Sequence, residues 1–180
     1  MGLHTGQIII DTTTGDPNQT AALGKQLAER GVAYLEAPVA ASSEQTRQGQ
    51  ALMIVGGPRD AFERCDDLLA VLAAKYFHVG PWGSAAKTKL VNNLVLGLNR
   101  VALAEGLVFA KSIGLEPTQL LEVLKQGSAY SVVMDVKGQK MVDEDFTTQA
   151  KLAQHTKDVR LILQQAAQRG LKLPLSSLHL

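Results

Sequence analysis

The chain has 180 residues, 46 % hydrophobic and 19 % charged, with a formal net charge of +1. That balance supports a packed globule and excludes a disordered chain. With no dense Lys/Arg stripe and only 4 % aromatics, the composition argues against nucleic-acid binding, which needs a basic patch or stacking platforms.

In chain order, Gln7–Asp11 is a short β-branched run ended by a polar cluster, the pattern of a buried strand. Thr12–Pro17 forms a turn, with Asp16 as cap and Pro17 in the first turn of a helix that runs from Asn18 to Arg30 and stops at Gly31. Val32–Val39 is a second strand whose ladder ends near Pro38. After a polar stretch from Ala40 to Gly49, Ala51–Gly57 is a third strand. Pro58–Lys75 is a helix, and Tyr76–Gly80 is a short fourth strand. Beyond Gly80 the strand pattern stops. Ser84–Ile113 predicts one helix about 45 Å long. Gly114 ends it, Thr118–Lys125 is a further helix, Gly127–Phe146 is looser, Gln149–Arg169 is helical, and Pro174 opens a short tail. The expected organisation is α/β followed by all-α, with domains at 1–82 and 83–180.

Several classes of function lack their signatures. There is no Gly-x-Gly among the sixteen glycines, hence no dinucleotide-phosphate turn, and no P-loop. The four histidines are scattered at no metal-ligand spacing, so no metal site is expected. Leu90–Ala110, the most apolar stretch, is interrupted by Asn92, Asn93, Asn99, Arg100 and Glu105, which argues against a membrane span. The N-terminal residues lack the basic-then-apolar order of a signal peptide. The lone Cys65 excludes an internal disulfide and suits a cytoplasmic, reducing setting.

One segment carries chemistry. In Lys89-Leu90-Val91-Asn92-Asn93, an ammonium and a carboxamide stand four residues apart on one helical face, at the start of the long helix. A cationic donor beside a neutral amide can hold and polarise a carbonyl. Taken alone, the spacing is common and more often marks a solvated lysine face.

Four motifs in order remove that ambiguity. Ile9-Ile10-Asp11-Thr12-Thr13-Thr14, Glu36-Ala37-Pro38-Val39 with Gly49-Gln50-Ala51-Leu52 behind it, Lys89-Leu90-Val91-Asn92-Asn93, and Lys157-Asp158-Val159-Arg160-Leu161 together resemble the β-hydroxyacid dehydrogenase family. That family includes 3-hydroxyisobutyrate dehydrogenase, tartronate semialdehyde reductase and the glyoxylate/succinic semialdehyde reductases, and is 6-phosphogluconate dehydrogenase-like. The resemblance implies the C-terminal part of a Rossmann-type sheet plus a helical dimerisation domain, with NAD or NADP as cofactor. Its implied reaction interconverts a small 3-hydroxy acid and its aldehyde or keto form. It makes Lys89 the catalytic proton donor and acceptor and Asn93 a substrate-binding residue, and it places Thr14 and Lys157 at the cofactor. A lysine in water titrates near 10.4, so service as a base near neutrality requires desolvation or a nearby cation.

The chain departs from the family at the substrate loop. Ser-Gly usually follows Ala-Pro-Val and grips the substrate carboxylate; here Ala40-Ala41-Ser42 follows, with no hydroxyl at 40 and an added Cβ at 41. The expectation is a changed substrate or weaker carboxylate binding, with Ser42 as the candidate to replace the missing hydroxyl. Against the family's length, Met1 falls past the middle strands and Leu180 before the usual end, which implies a missing nucleotide-binding half. The expected partners are a small-molecule substrate and a second copy of the chain, met through the apolar long helix, with no nucleic acid and no membrane. The rival expectation is a non-catalytic dimerising module derived from such an enzyme.

Overall fold

The computed structural model describes residues 2–149 and 151–180. The chain divides into two compact units, one ending at Asn92 and the other beginning at Asn93.

The first unit contains β1 (Ile8–Asp11), α1 (Pro17–Ala28), β2 (Ala33–Glu36), α2 (Ser43–Arg47), β3 (Leu52–Val55), α3 (Arg59–Arg64), α4 (Asp66–Leu72) and β4 (Lys75–His78). β1 pairs in parallel with β2, and β3 with β4. Antiparallel bridges Glu36–Gly56 and Val39–Met53 tie the two pairs together. Successive side chains of a strand face opposite sides, and β2 shows the result. Tyr34 packs with Leu27, Val32, Ile9 and Trp82, whereas Leu35 joins Met53, Val55, Ala61, Cys65 and Leu69. The strands therefore carry apolar cover on two faces, which is why they read as continuous apolar runs.

α5 (Ser84–Ser112) starts in the first unit and continues into the second, which adds α6 (Pro117–Gln126), a π-helical segment (Met134–Gly138), α7 (Gln139–Val142), α8 (Leu152–Ala167) and α9 (Pro174–His179). α5 ends as the sequence predicts: Gly114 takes φ 82° and the Leu115 amide donates to the Ala110 carbonyl at 2.9 Å. Glu116 caps α6 through the Thr118 and Gln119 amides. Leu103 and Leu107 of α5 form the core of this unit with Leu121, Val133 and Met134.

The structure differs from the sequence reading in several elements. The expected helix Pro58–Lys75 is two helices, broken at Cys65, whose backbone (φ −102°, ψ 7°) leaves helical geometry. The polar stretch after Ala40 contains α2, started by a capping box in which Ser42 and Gln45 exchange hydrogen bonds. The looser segment holds the π-helical segment and α7, and the tail after Pro174 is α9. The expected helix Gln149–Arg169 spans Ala150, outside the described residues, and α8 begins at Leu152. α5 is, among the described residues, the one helix long and apolar enough to cross a membrane by length and composition.

Candidate active site

In the first unit, the parallel register sets Asp11 beside Glu36, so the loops carrying Thr14 and Ala40 leave the carboxyl ends of neighbouring parallel strands. Ligands of open α/β sheets bind at such edges. Asp11 shapes the first loop: its Oδ1 accepts from the Thr13 amide at 2.9 Å and its Oδ2 from the Tyr34 hydroxyl at 2.7 Å. Thr14 follows, half-buried.

Glu36 links that edge to the long helix. It is 2 % exposed, and its two carboxylate oxygens accept from the Ala85 and Ala86 amides at 3.0 and 3.1 Å. These are orphan donors of the first turn of α5, where the helix dipole also favours negative charge. Burial pushes the Glu36 carboxyl up; the Ala85, Ala86 and Gly83 amides and Lys87 pull it back, and the balance stays above the ordinary value. Sequence reasoning placed Glu36 in a substrate loop and did not see this capping role. A carboxylate just before a strand end, with a helix start further on, is the signal that was there to read.

Lys89 follows one turn into α5 and is 7 % exposed. Asn93, one turn further, is 8 % exposed. In the second unit Asn93 Nδ2 donates to Asp158 Oδ2 at 2.9 Å. Asp158 is itself buried, and its Oδ1 lies 3.3 Å from Lys157 Nζ, an ion-pair distance without hydrogen-bond geometry. The bond to Asp158 fixes the orientation of the Asn93 carboxamide. Asp158 was missed as a site residue: it stands 65 residues from Asn93, and only folding joins them.

Ala40 and Ala41 are half-buried, and Ser42 is committed locally, its Oγ accepting from the Gln45 amide at 3.1 Å as the cap of α2. Lys157 is about half exposed. The structure thus groups Asn93, Lys157 and Asp158 in the second unit, and sets Thr14, Ala40 and the start of α5 on one strand edge in the first.

Residues 83–179 match the family model described as NAD-binding of NADP-dependent 3-hydroxyisobutyrate dehydrogenase, and residues 1–80 match the NAD binding domain of 6-phosphogluconate dehydrogenase. The chain is 34 % identical over 169 residues to 2-hydroxy-3-oxopropionate reductase of Escherichia coli, covering 94 % of this chain and 58 % of that protein. It is 31 % identical over 174 residues to 2-(hydroxymethyl)glutarate dehydrogenase of Eubacterium barkeri, covering 96 % and 58 %. The crystal structure of 3-hydroxyisobutyrate dehydrogenase from Salmonella typhimurium shares the fold, with TM-score 0.88 at 22 % identity over 98 % of this chain and 62 % of that one. The chain spans 58 % of the length of each of these two curated relatives. With a family model covering more than half its residues, the chain belongs to the β-hydroxyacid dehydrogenase family.

Proposed function

We propose that this chain is the catalytic portion of an NAD(P)-dependent oxidoreductase that interconverts a small 3-hydroxy acid and its aldehyde or keto form. The observation that carries the reading is the buried pair on α5: an ammonium and a carboxamide one turn apart, both under 9 % exposed, on a helix whose start is pinned by Glu36 to the carboxyl edge of the strands. Burying an ammonium is costly, and a Lys–Asn pair one helical turn apart has the donor set for a carbonyl oxygen.

Each unit separately offers a residue whose chemistry suits the nicotinamide end of the cofactor. Thr14 leaves the carboxyl end of β1, and Lys157 on α8 is held beside Asp158 with its ammonium still half exposed. The pyrophosphate has no counterpart among these residues, because no Gly-x-Gly turn occurs in the sequence. NAD or NADP, when bound, supplies or accepts the hydride. Lys89 then donates a proton to the substrate carbonyl oxygen in reduction and recovers it in oxidation. Asn93 fixes that oxygen, its own amide oriented by Asp158. Ala40 and Ala41 line the carboxylate end without a hydroxyl, so the carboxylate there relies on backbone amides and on Ser42, whose Oγ already serves as a cap. This combination favours substrates other than 3-hydroxyisobutyrate. The relatives' reactions make 2-hydroxy-3-oxopropionate and the aldehyde of 2-(hydroxymethyl)glutarate the first to assay. We further infer a homodimer formed through the helical unit and a cytoplasmic setting, which the single buried thiol suits.

Two measurements test the reading. Cofactor titration followed by nicotinamide fluorescence is expected to saturate; no binding at millimolar cofactor would leave a non-catalytic dimerising module as the better description of this chain. In reductase assays, with a nucleotide-binding half supplied in trans where required, Lys89→Ala is expected to lower turnover by about 10²–10⁴-fold. Turnover unaffected by Lys89→Ala ends the mechanism.

A further inference from the structure

The helical unit holds two side chains for which the reaction has no task. His155 lies on α8, three residues before Asp158, and His179 closes α9. They are 24 residues apart in the chain, yet their Nε2 atoms approach to 3.2 Å. Their ring centres are 4.9 Å apart with the planes inclined at 47°. α5 makes room for them at Gly97. A Cβ there would stand 2.6 Å from His179 Cε1 and 3.1 Å from His155 Cε1, so any larger residue would push the rings away.

The two distances are informative together. A straight N–H···N bond between imidazoles would set the ring centres about 5.5 Å apart. The shorter separation shows that the rings meet at an angle, with their nitrogens at a distance that serves either a hydrogen bond between them or an ion they share. An ion about 2.05 Å from each Nε2, the usual zinc–imidazole distance, would subtend an N–metal–N angle of about 100°. That lies between the square-planar and tetrahedral values, and imidazole nitrogen suits zinc, copper and nickel.

We propose that His155 and His179 form a binding site for a divalent transition-metal ion of the zinc, copper or nickel class, completed by water. Among the described residues no third His, Cys, Asp or Glu joins them. Arg100 on α5 opposes the charge of an ion and Asp158 on α8 favours it. The bound ion would cross-link α8 to α9, one helical turn from the Asp158 that orients Asn93. The site rests on the helical unit alone and is independent of the oxidoreductase reading.

The test is calorimetric titration of Zn²⁺ into the metal-free 180-residue chain, with circular dichroism confirming that each variant is folded. The wild type is expected to bind one ion in the micromolar range and to melt at a higher temperature with Zn²⁺ present. His155→Ala and His179→Ala should each weaken binding by at least about tenfold. Gly97→Ala should do the same while keeping both ligands. Gly106→Ala on the same helix, where a Cβ meets nothing within 4 Å, should leave binding unchanged. Cu²⁺ bound to the wild type should show two imidazole nitrogens by electron paramagnetic resonance. No binding at millimolar Zn²⁺, or binding indifferent to both histidine substitutions, overturns the proposal. Should a histidine variant fail to fold, the contrast between Gly97→Ala and Gly106→Ala decides.

Discussion

Asp11 and Tyr34 show how one hydrogen bond serves both the fold and the candidate site. Tyr34 is 1 % exposed and donates its hydroxyl to Asp11, whose other oxygen fixes the Thr13 amide and so the path to Thr14. Burial raises the Asp11 carboxyl, but the Thr13 amide and the Tyr34 hydroxyl outweigh it, and its pKa falls below the ordinary value. Tyr34 moves up, through burial first, then its bond to Asp11 and the charges of Asp11 and Glu36. A lowered carboxyl stabilises the fold above its unfolded pKa and loses that contribution as pH falls through the folded value. A raised phenol contributes below its unfolded pKa and loses its contribution as pH rises through the folded one. Tyr34→Phe is therefore expected to raise the Asp11 pKa, read by carbon-13 NMR titration. It should lower stability at pH 7 by about 1–2 kcal/mol in urea unfolding, since hydrogen bonds to charged groups are worth that much once partial exposure is allowed for. The stability difference should shrink as pH falls through the folded Asp11 pKa, which lies below the ordinary carboxyl value. An Asp11 pKa that does not move would remove the hydrogen bond from the account.

At the scale of elements, α1 is seated on the sheet by a glycine and the protein's single tryptophan. A Cβ at Gly24 would lie 2.5–2.7 Å from three atoms of the Trp82 indole, whose Nε1 donates to the Tyr34 carbonyl at 2.7 Å. Alanine is the better helix former by about 1 kcal/mol, yet Gly24→Ala must displace the indole and break that bond. The expected net effect is destabilisation by about 2–4 kcal/mol, with a shifted Trp82 emission maximum, measured in urea. A stabilised Gly24→Ala would show that the helix can slide at no cost. Local sequence rules found most of these elements because strand runs, Gly stops and the N-terminal Pro17 of α1 are short-range signals. They missed the break at Cys65, where no Gly or Pro marks the departure. They passed over the capping box at Ser42, although its spacing was visible, and the π-helical segment left no trace in the apolar period. Lys89 and Asn93 were legible because a helix brings residues four apart onto one face. Asp158 beside Asn93, Glu36 on the Ala85 and Ala86 amides, and His155 beside His179 join positions 65, about 50 and 24 residues apart; such pairs follow from packing, which no single-chain spacing encodes.

On the scale of the whole molecule, α5 poses an unsolved burial problem. Its inner positions Leu103, Leu107 and Ala110 are covered, yet Val101, Val108, Phe109 and Ile113 on the same helix are 39 %, 71 %, 63 % and 56 % exposed. Apolar surface concentrated on one helix is costly to leave in water and marks an interface. The occupant proposed for this face is a second copy of the chain, since two such helices can cover each other symmetrically. Val101 and Val108 are seven residues apart and so share one face. Replacing both with Asp would place two charges in the centre of that contact while leaving the inner core residues untouched. Sedimentation of the wild-type chain is expected to give a dimer, and the Val101→Asp/Val108→Asp variant a monomer with an unchanged circular dichroism spectrum. The loss follows from burying carboxylates without partners, which costs several kcal/mol across an interface. A wild-type chain that sediments as a monomer, or a double variant that remains dimeric, would assign this face to something other than self-association.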